Sequence, residues 1–331
     1  MADSLVFNSS LFADAAKDFA VDNADTIYTE FLSPGEEGIP NSPIRPLSEY
    51  VRPLLTRDEV LLTQFIIGDI LQPDKRLGFT ASTDKLEFRP RTTKVKPGKI
   101  NLKFTEADIV AFQKTWYGMQ QGKKGSVGVG EGMIFEEYMF MQILKKAKSS
   151  LRNTTLFLGD YDPDTADAVS ICDGLRKIID ALIVATDIPA GNIADTGTIS
   201  SSNAVTELQK ILDVIPAASL YRDDLICLIS PAQYTMYCKH YQSSRGSIVY
   251  NSQYAQGVIE GSLIPFFVEP GMNGYNPVIT SRGNIAWIYD NDFTAFTPQV
   301  IHMPIDEYVA FILKFQIAFD IINPKEVWTG V

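Results

Sequence analysis

The chain has 331 residues, more than one typical domain, so one large or two to three interleaved domains are expected. With 45% hydrophobic and 21% charged residues it can bury a substantial core, which excludes collagen-like, low-complexity and wholly disordered readings. A net charge of −11 argues against a dedicated nucleic-acid binder.

Residues 1–49 hold nine acidic residues against Lys17 and Arg45, a net of −7, and prolines at 34, 40, 43 and 46 interrupt regular structure. This reads as an extended arm with one short helix near Leu11–Phe19. The arm has little core of its own and must lie on something else to be ordered. Five aspartates and one lysine in the first 25 residues do not make a signal peptide. No run reaches the roughly 18 consecutive apolar residues of a spanning helix. The longest candidate, 301–322, is broken by Pro304, Asp306, Glu307, Lys314 and Asp320. A soluble chain made in the cytoplasm, with no membrane partner, is expected.

Residues 51–105 read as strands and turns, with an apolar run at Val60–Phe65 and turn signals at Gly68-Asp69 and Pro73-Asp74-Lys75. Between Lys75 and Lys103 nine basic residues face only Asp84 and Glu87, a net of +7. The string at 94–104, KVKPGKINLKF, ends in polar–apolar alternation and suits a ribbon strand with one wet face. Nucleic-acid binding would need aromatic platforms among these lysines, and none is interleaved; a solvated basic hairpin is the plainer reading.

Glu106–Tyr117 reads as a helix and the glycine-rich 118–132 as a connector. The strongest helical stripe follows, over 135–151, formed by Phe135, Tyr138, Met139, Ile143, Ala147 and Leu151. Glutamates at its start and lysines toward its end match the helix dipole. Core packing, with Met139 and Ile143 almost fully buried, explains the stripe better than a cofactor box does. Beyond Asp160 the pattern becomes mixed α/β. Helices are expected at 171–185, 204–214 and 232–241, the last led in by Pro231. A buried strand is expected at 224–230, further strands at 264–268, 278–280 and 285–289, and a long hairpin over 300–322.

No motif supplies chemistry. Only two histidines are present, His240 and His302, with no HExxH and no GxSxG elbow. Gly125, Gly128, Gly130 and Gly132 have the wrong spacing for a dinucleotide loop and no strand before them, so a hinge is expected. Asp160, Asp162, Asp164 and Asp167 resemble a calcium loop, but Thr165 and Ile171 stand where glycine and glutamate are needed, which favours a turn and helix cap. Cys172, Cys227 and Cys238 have no metal or redox spacing and read as inert, unbridged thiols. Catalytic residues, cofactors and metals are therefore not expected.

In their order, these parts resemble the major capsid proteins of tailed bacteriophages, the Hong Kong 97-type fold also used by encapsulin shells. The arm is followed by a basic hairpin ending at KVKPGKINLKF, which looks like the E-loop. EEYMFMQILKKAKSSL (136–151) looks like the spine helix, ICDGLRKIIDALI (171–183) like the helix opening the axial domain, and DDLICLISPAQY (223–234) like that domain's central strand and next helix. VIHMPIDEYVAFILKFQIAFDIINPKEVW (300–328) resembles the closing strands. The resemblance implies an α+β capsid fold with an N-arm (1–49), an E-loop region (50–105), a peripheral domain with spine helix (106–165), an axial domain (166–295) and returning peripheral strands (296–331).

It further implies self-assembly into hexamers and pentamers of an icosahedral shell that encloses double-stranded DNA without sequence preference. Partners would be other copies, a portal, decoration proteins and, because the chain begins at Met1 without a cleavable prodomain, a separate scaffolding protein. The shell would be built in the host cytoplasm and become the virion capsid. An encapsulin-like compartment is the alternative, and a nucleotide-dependent α/β enzyme a more distant one. In the resembled fold arm and hairpin both project over neighbours, which implies that Asp18, Asp22 and Asp25 meet Lys94, Lys96 and Lys99 of a neighbouring copy; pairing within one subunit is the alternative.

Overall fold

The computed structural model describes residues 9–35, 43–67, 86–121, 135–245, 257–290, 298–303 and 308–331. In chain order come α1 (Ser9–Asp22), α2 (Ala24–Leu32), β1 (Val51–Leu55), β2 (Glu59–Ile67), β3 (Leu86–Lys94), β4 (Lys96–Thr105) and α3 (Glu106–Gln121). The long helix α4 (Phe135–Ser150) continues through a π turn (Leu151–Thr155) into α5 (Leu156–Leu158). Then follow α6 (Leu175–Val184), β5 (Ile193–Ala194), α7 (Ala204–Asp213), α8 (Ala217–Leu220), β6 (Leu225–Ile229), α9 (Pro231–Arg245), β7 (Phe266–Val268) and β8 (Val278–Ser281). The chain closes with β9 (Ile285–Tyr289), β10 (Gln299–Met303), β11 (Tyr308–Ile321) and β12 (Val327–Gly330).

The first sheet is built around β11, a 14-residue strand. Its order is β1-β9-β11-β10, and β4 pairs with the other side of β11. Alternate residues Val309, Phe311, Leu313, Phe315, Ile317 and Phe319 are buried on one face, as a period-two strand requires. Against that face lie α4, through a T-shaped Phe140–Phe311 contact at 5.1 Å, and α2, through Phe31–Phe315 at 5.0 Å. The second sheet, β5-β12-β8-β6-β7, is covered on both faces. Ile226 and Leu228 of β6 join the core shared with the first sheet, while Leu225, Cys227 and Ile229 pack with α7 and α9 residues such as Leu208 and Tyr237. This two-sided burial is why β6 reads as an unbroken apolar run. Ser230 and Gln233 form a capping box at the start of α9: Gln233 N–H donates to Ser230 Oγ at 3.2 Å, and Ser230 N–H to Gln233 Oε1 at 3.4 Å.

Several expectations need correction. The arm is not extended: α1 and α2 occupy 9–32 and bury Phe12, Ala13, Ala16, Ala20, Ile27, Phe31 and Leu32 against the subunit's own core. Small alanines let α1 approach closely, and the indole N–H of Trp287 donates to Leu32 O at 2.7 Å. On α1 and α2 the acidic residues Asp14, Asp18, Asp22, Asp25 and Glu30 are all exposed. The hairpin consists of β2 and β3 alone, paired from Glu59↔Lys94 to Ile67↔Leu86. Lys96–Thr105 does not close the hairpin but enters the first sheet beside β11, because Ile100, Leu102 and Phe104 face its core.

The stripe on α4 is also rotated from its expected position. Met139 is buried, but Ile143 is only partly so, and Phe140 and Leu144 take the centre, since α4 is wedged between the arm helices and β11. Gly118 belongs to α3, whereas 122–134, with the glycines read as a hinge, lie outside the described residues. So do the hairpin turn signals within 68–85.

The sheets are not built from contiguous stretches. β8 belongs to the second sheet and β9 to the first, with only Arg282, Gly283 and Asn284 between them, Gly283 supplying the positive φ of 75°. β12 returns from the first sheet to the second. Boundaries at 166–295 and 296–331 therefore divide both layers.

Candidate assembly surfaces

The root of the hairpin is fastened to the outer face of the first sheet. Val60 and Val95 pack with Ala286, Ile288 and Ala318. Next to them Arg91 donates to Asp320 Oδ1 at 2.6 Å and to the carbonyl of Ile321, and the Thr93 hydroxyl donates to Asp320 Oδ2. Burial raises the Asp320 carboxyl, and Arg91 and Thr93 draw it back. Arg89 reaches Asp187, at the end of α6, at 3.7 Å. The base of the hairpin is thus fixed to the first sheet and to the loop after α6.

The six charged residues expected at an interface are distributed unevenly. Asp18 and Asp22 are exposed on α1; Asp25, in the first turn of α2, accepts the Thr26 N–H at 2.8 Å. Lys94 faces Glu59 across the hairpin at 3.7 Å, and Lys96 lies over the Tyr161 ring at 4.4 Å. Lys99 is exposed and stands opposite Lys314 in the register of β4 and β11. Among the described residues, no ion pair joins the three aspartates to the three lysines within the subunit.

Other residues do structural work that the sequence hid. Arg152, in the π turn, makes a two-pronged pair with Glu269 just past β7, at 2.6 and 3.1 Å, and donates to Arg45 O at 2.7 Å. Burial and the Glu269 charge hold the neighbouring Tyr50 hydroxyl well above its ordinary pKa. Gly174 needs its glycine: a Cβ there would meet Gly159 N at 2.5 Å and Phe157 O at 2.7 Å.

The aspartate cluster closes a turn. Asp162 accepts the Thr165 hydroxyl at 2.7 Å and the Asp164 N–H at 3.0 Å, and Lys177 bridges Asp160 and Asp173 at 2.6 and 2.7 Å. His240 Nδ1 accepts the Val205 N–H at the start of α7. All three cysteines are free thiols, and burial pushes the pKa of each upward. None of Arg91, Asp320, Arg152 and Glu269 belongs to a motif that the sequence displays. Each partner lies more than a hundred positions away, so only the fold brings them together.

No protein-family model and no curated protein matches the chain. Solved structures do. A chain of the satellite phage P4 procapsid, a structure that includes its size determination (Sid) protein, superposes with a TM-score of 0.54 at 11% identity, covering 85% of this chain and 92% of that one. The cyanophage A-1(L) capsid gives 0.53 at 10% identity, covering 84% and 88%. The capsid of an empty GTA particle gives 0.50 at 12%, covering 90% and 92%. At such identities the likeness is one of fold, and it extends over most of each chain: this protein has the Hong Kong 97-type α+β fold of phage capsid subunits.

Proposed function

We propose that the chain is a major capsid protein whose copies assemble as hexamers and pentamers into an icosahedral shell around double-stranded DNA. The observation that carries this reading is the extent of the fold match, which takes in 85% of this chain and 92% of the P4 procapsid chain. The role is structural, with no substrate turned over. Copies of itself are the main partner; a scaffolding protein, a portal and decoration proteins complete the particle. DNA is held as cargo without sequence preference, since an acidic subunit repels it. Assembly takes place in the host cytoplasm and the product is the virion capsid.

Between copies, the acidic arm and the basic hairpin region supply opposite charges. Many weak contacts repeated around every subunit sum to a durable shell. Size-exclusion chromatography and negative-stain microscopy of the purified full chain test the reading, with rings or closed particles expected. A protein that stays monomeric or dimeric and turns over a substrate would overturn it, and particles filled with protein cargo instead of DNA would favour the encapsulin alternative.

A further inference from the structure

The open face of the first sheet carries charges that no ion pair among the described residues of its own subunit answers. Lys99 on β4 stands directly opposite Lys314 on β11, and Lys103 follows opposite Ala310. All three lysines are exposed. Like charges directly opposed on one sheet face destabilise it. Among the described residues none of the three forms an ion pair, although Lys103 lies over the Tyr308 ring at 4.1 Å. The same register puts an apolar row beside them. Ile301 and Met303 of β10, 37% and 38% exposed, stand opposite Ala310 and Tyr308 on the same face. Among the described residues, the hairpin root covers the far end of this face, over Ala318 and Asp320.

The complementary surface is the outer side of α1. Phe12, Ala13, Ala16 and Ala20 are buried, leaving Asp14, Asp18 and Asp22 outward at i, i+4 and i+8. Val21, 53% exposed, lies beside them, and Lys17 is the one basic residue there. From Asp14 to Asp22 the helix rises about 12 Å. From Lys99 to Lys103 the strand runs about 14 Å. The acidic row and the basic face therefore have similar lengths, with Val21 exposed beside the first and Ile301 and Met303 beside the second.

We propose that α1 of a second copy lies along β4 and β11, its Asp14, Asp18 and Asp22 answering Lys99, Lys314 and Lys103, with Val21 against Ile301 and Met303. The proposal rests on the shell reading, which brings copies into contact, and it narrows the charged partners. Lys94 and Lys96 already have Glu59 and Tyr161, and Asp25 lies on a different helix, so these three fall outside the contact.

Two full-length variants, Asp18→Cys and Lys314→Cys, mixed before assembly and mildly oxidised, should yield a disulfide-linked dimer between them. Asp25→Cys mixed with Lys94→Cys should give only the background of the wild type. Lys99→Glu with Lys314→Glu should lower particle yield about tenfold or more while leaving the circular dichroism of the subunit unchanged. Adding Asp14→Lys, Asp18→Lys and Asp22→Lys should restore most of the loss. Wild-type particles without the linked dimer, a lysine reversal that assembles normally, or a loss that the aspartate changes do not restore would each overturn this contact while leaving the shell reading intact. A wild-type chain that forms no particles would overturn the shell reading and this contact with it.

Discussion

Arg152 and Glu269 lie in the interior where α4 meets the second sheet, with side chains 12% and 0% exposed. Their two-pronged pairing joins the π turn to the loop after β7, and Gly271 fits against the same turn, where a Cβ would sit 3.0 Å from the carbonyls of Arg152 and Asn153. Removing one member leaves a buried charge without its partner, so Glu269→Ala should cost about 3–5 kcal/mol of subunit stability in urea unfolding. Replacing both, as Arg152→Met with Glu269→Leu, should cost much less; equal losses would mean that packing alone holds the junction.

A second residue stores strain. Thr186 ends α6 at φ 62°, a left-handed conformation poorly suited to a β-branched side chain, and its turn presents Asp187 to Arg89. Thr186→Gly should therefore stabilise the subunit by up to about 1 kcal/mol, the relieved strain exceeding the entropy that glycine adds to the unfolded chain. A lower unfolding midpoint would contradict this. Neither site is visible in the sequence, because an arginine, a glutamate and a threonine in ordinary surroundings give no sign of burial or of φ.

Among the elements, α4 shows how far periodicity can be followed. Its apolar stripe is legible and so is its place in the core, but the exact face is not, because what packs on either side decides which residues lie at the centre. The arm helices press on one flank and β11 on the other, so Phe140 and Leu144 are buried and Ile143 sits at the margin. Phe140→Ala should cost about 3–5 kcal/mol, and Ile143→Ala clearly less than a buried isoleucine would, as read by denaturant midpoints. Equal losses would place Ile143 back in the core. The helices of the arm are hidden in the sequence for a related reason. Its charges and prolines dominate the composition, while the buried side of α1 is, apart from Phe12, made of alanines, which carry little hydropathy and much close contact. The end of the hairpin is not legible in the sequence, because KVKPGKINLKF alternates equally well for a free ribbon and for a sheet strand with one wet face; the pairing with β11 decides between them.

At the scale of the whole molecule, the two sheets are sewn together by the chain. β8 passes to β9 within three residues, and β11 returns to β12 across Asn323–Glu326. One core cluster takes residues from both sheets: Trp287 and Phe315 from the first, Ile226, Phe267 and Val327 from the second. Neither layer can come apart without exposing apolar surface of the other, so the dissociated subunit should unfold in a single transition even though it has two sheets.

The chain's three tryptophans make this testable. Trp287 lies in the first sheet and Trp328 in the second, both buried. With Trp116→Phe in place, Trp328→Phe leaves a probe of the first sheet and Trp287→Phe a probe of the second. In each variant the fluorescence midpoint in urea should coincide with the midpoint by far-ultraviolet circular dichroism. Losing the Trp287 bond to Leu32 O will lower the stability of one variant, so agreement between probes within each variant is the criterion, not agreement between the two variants. A fluorescence transition well separated from the dichroism in either variant would show that one sheet melts alone, and that the connections between the layers do not bind them into one cooperative unit.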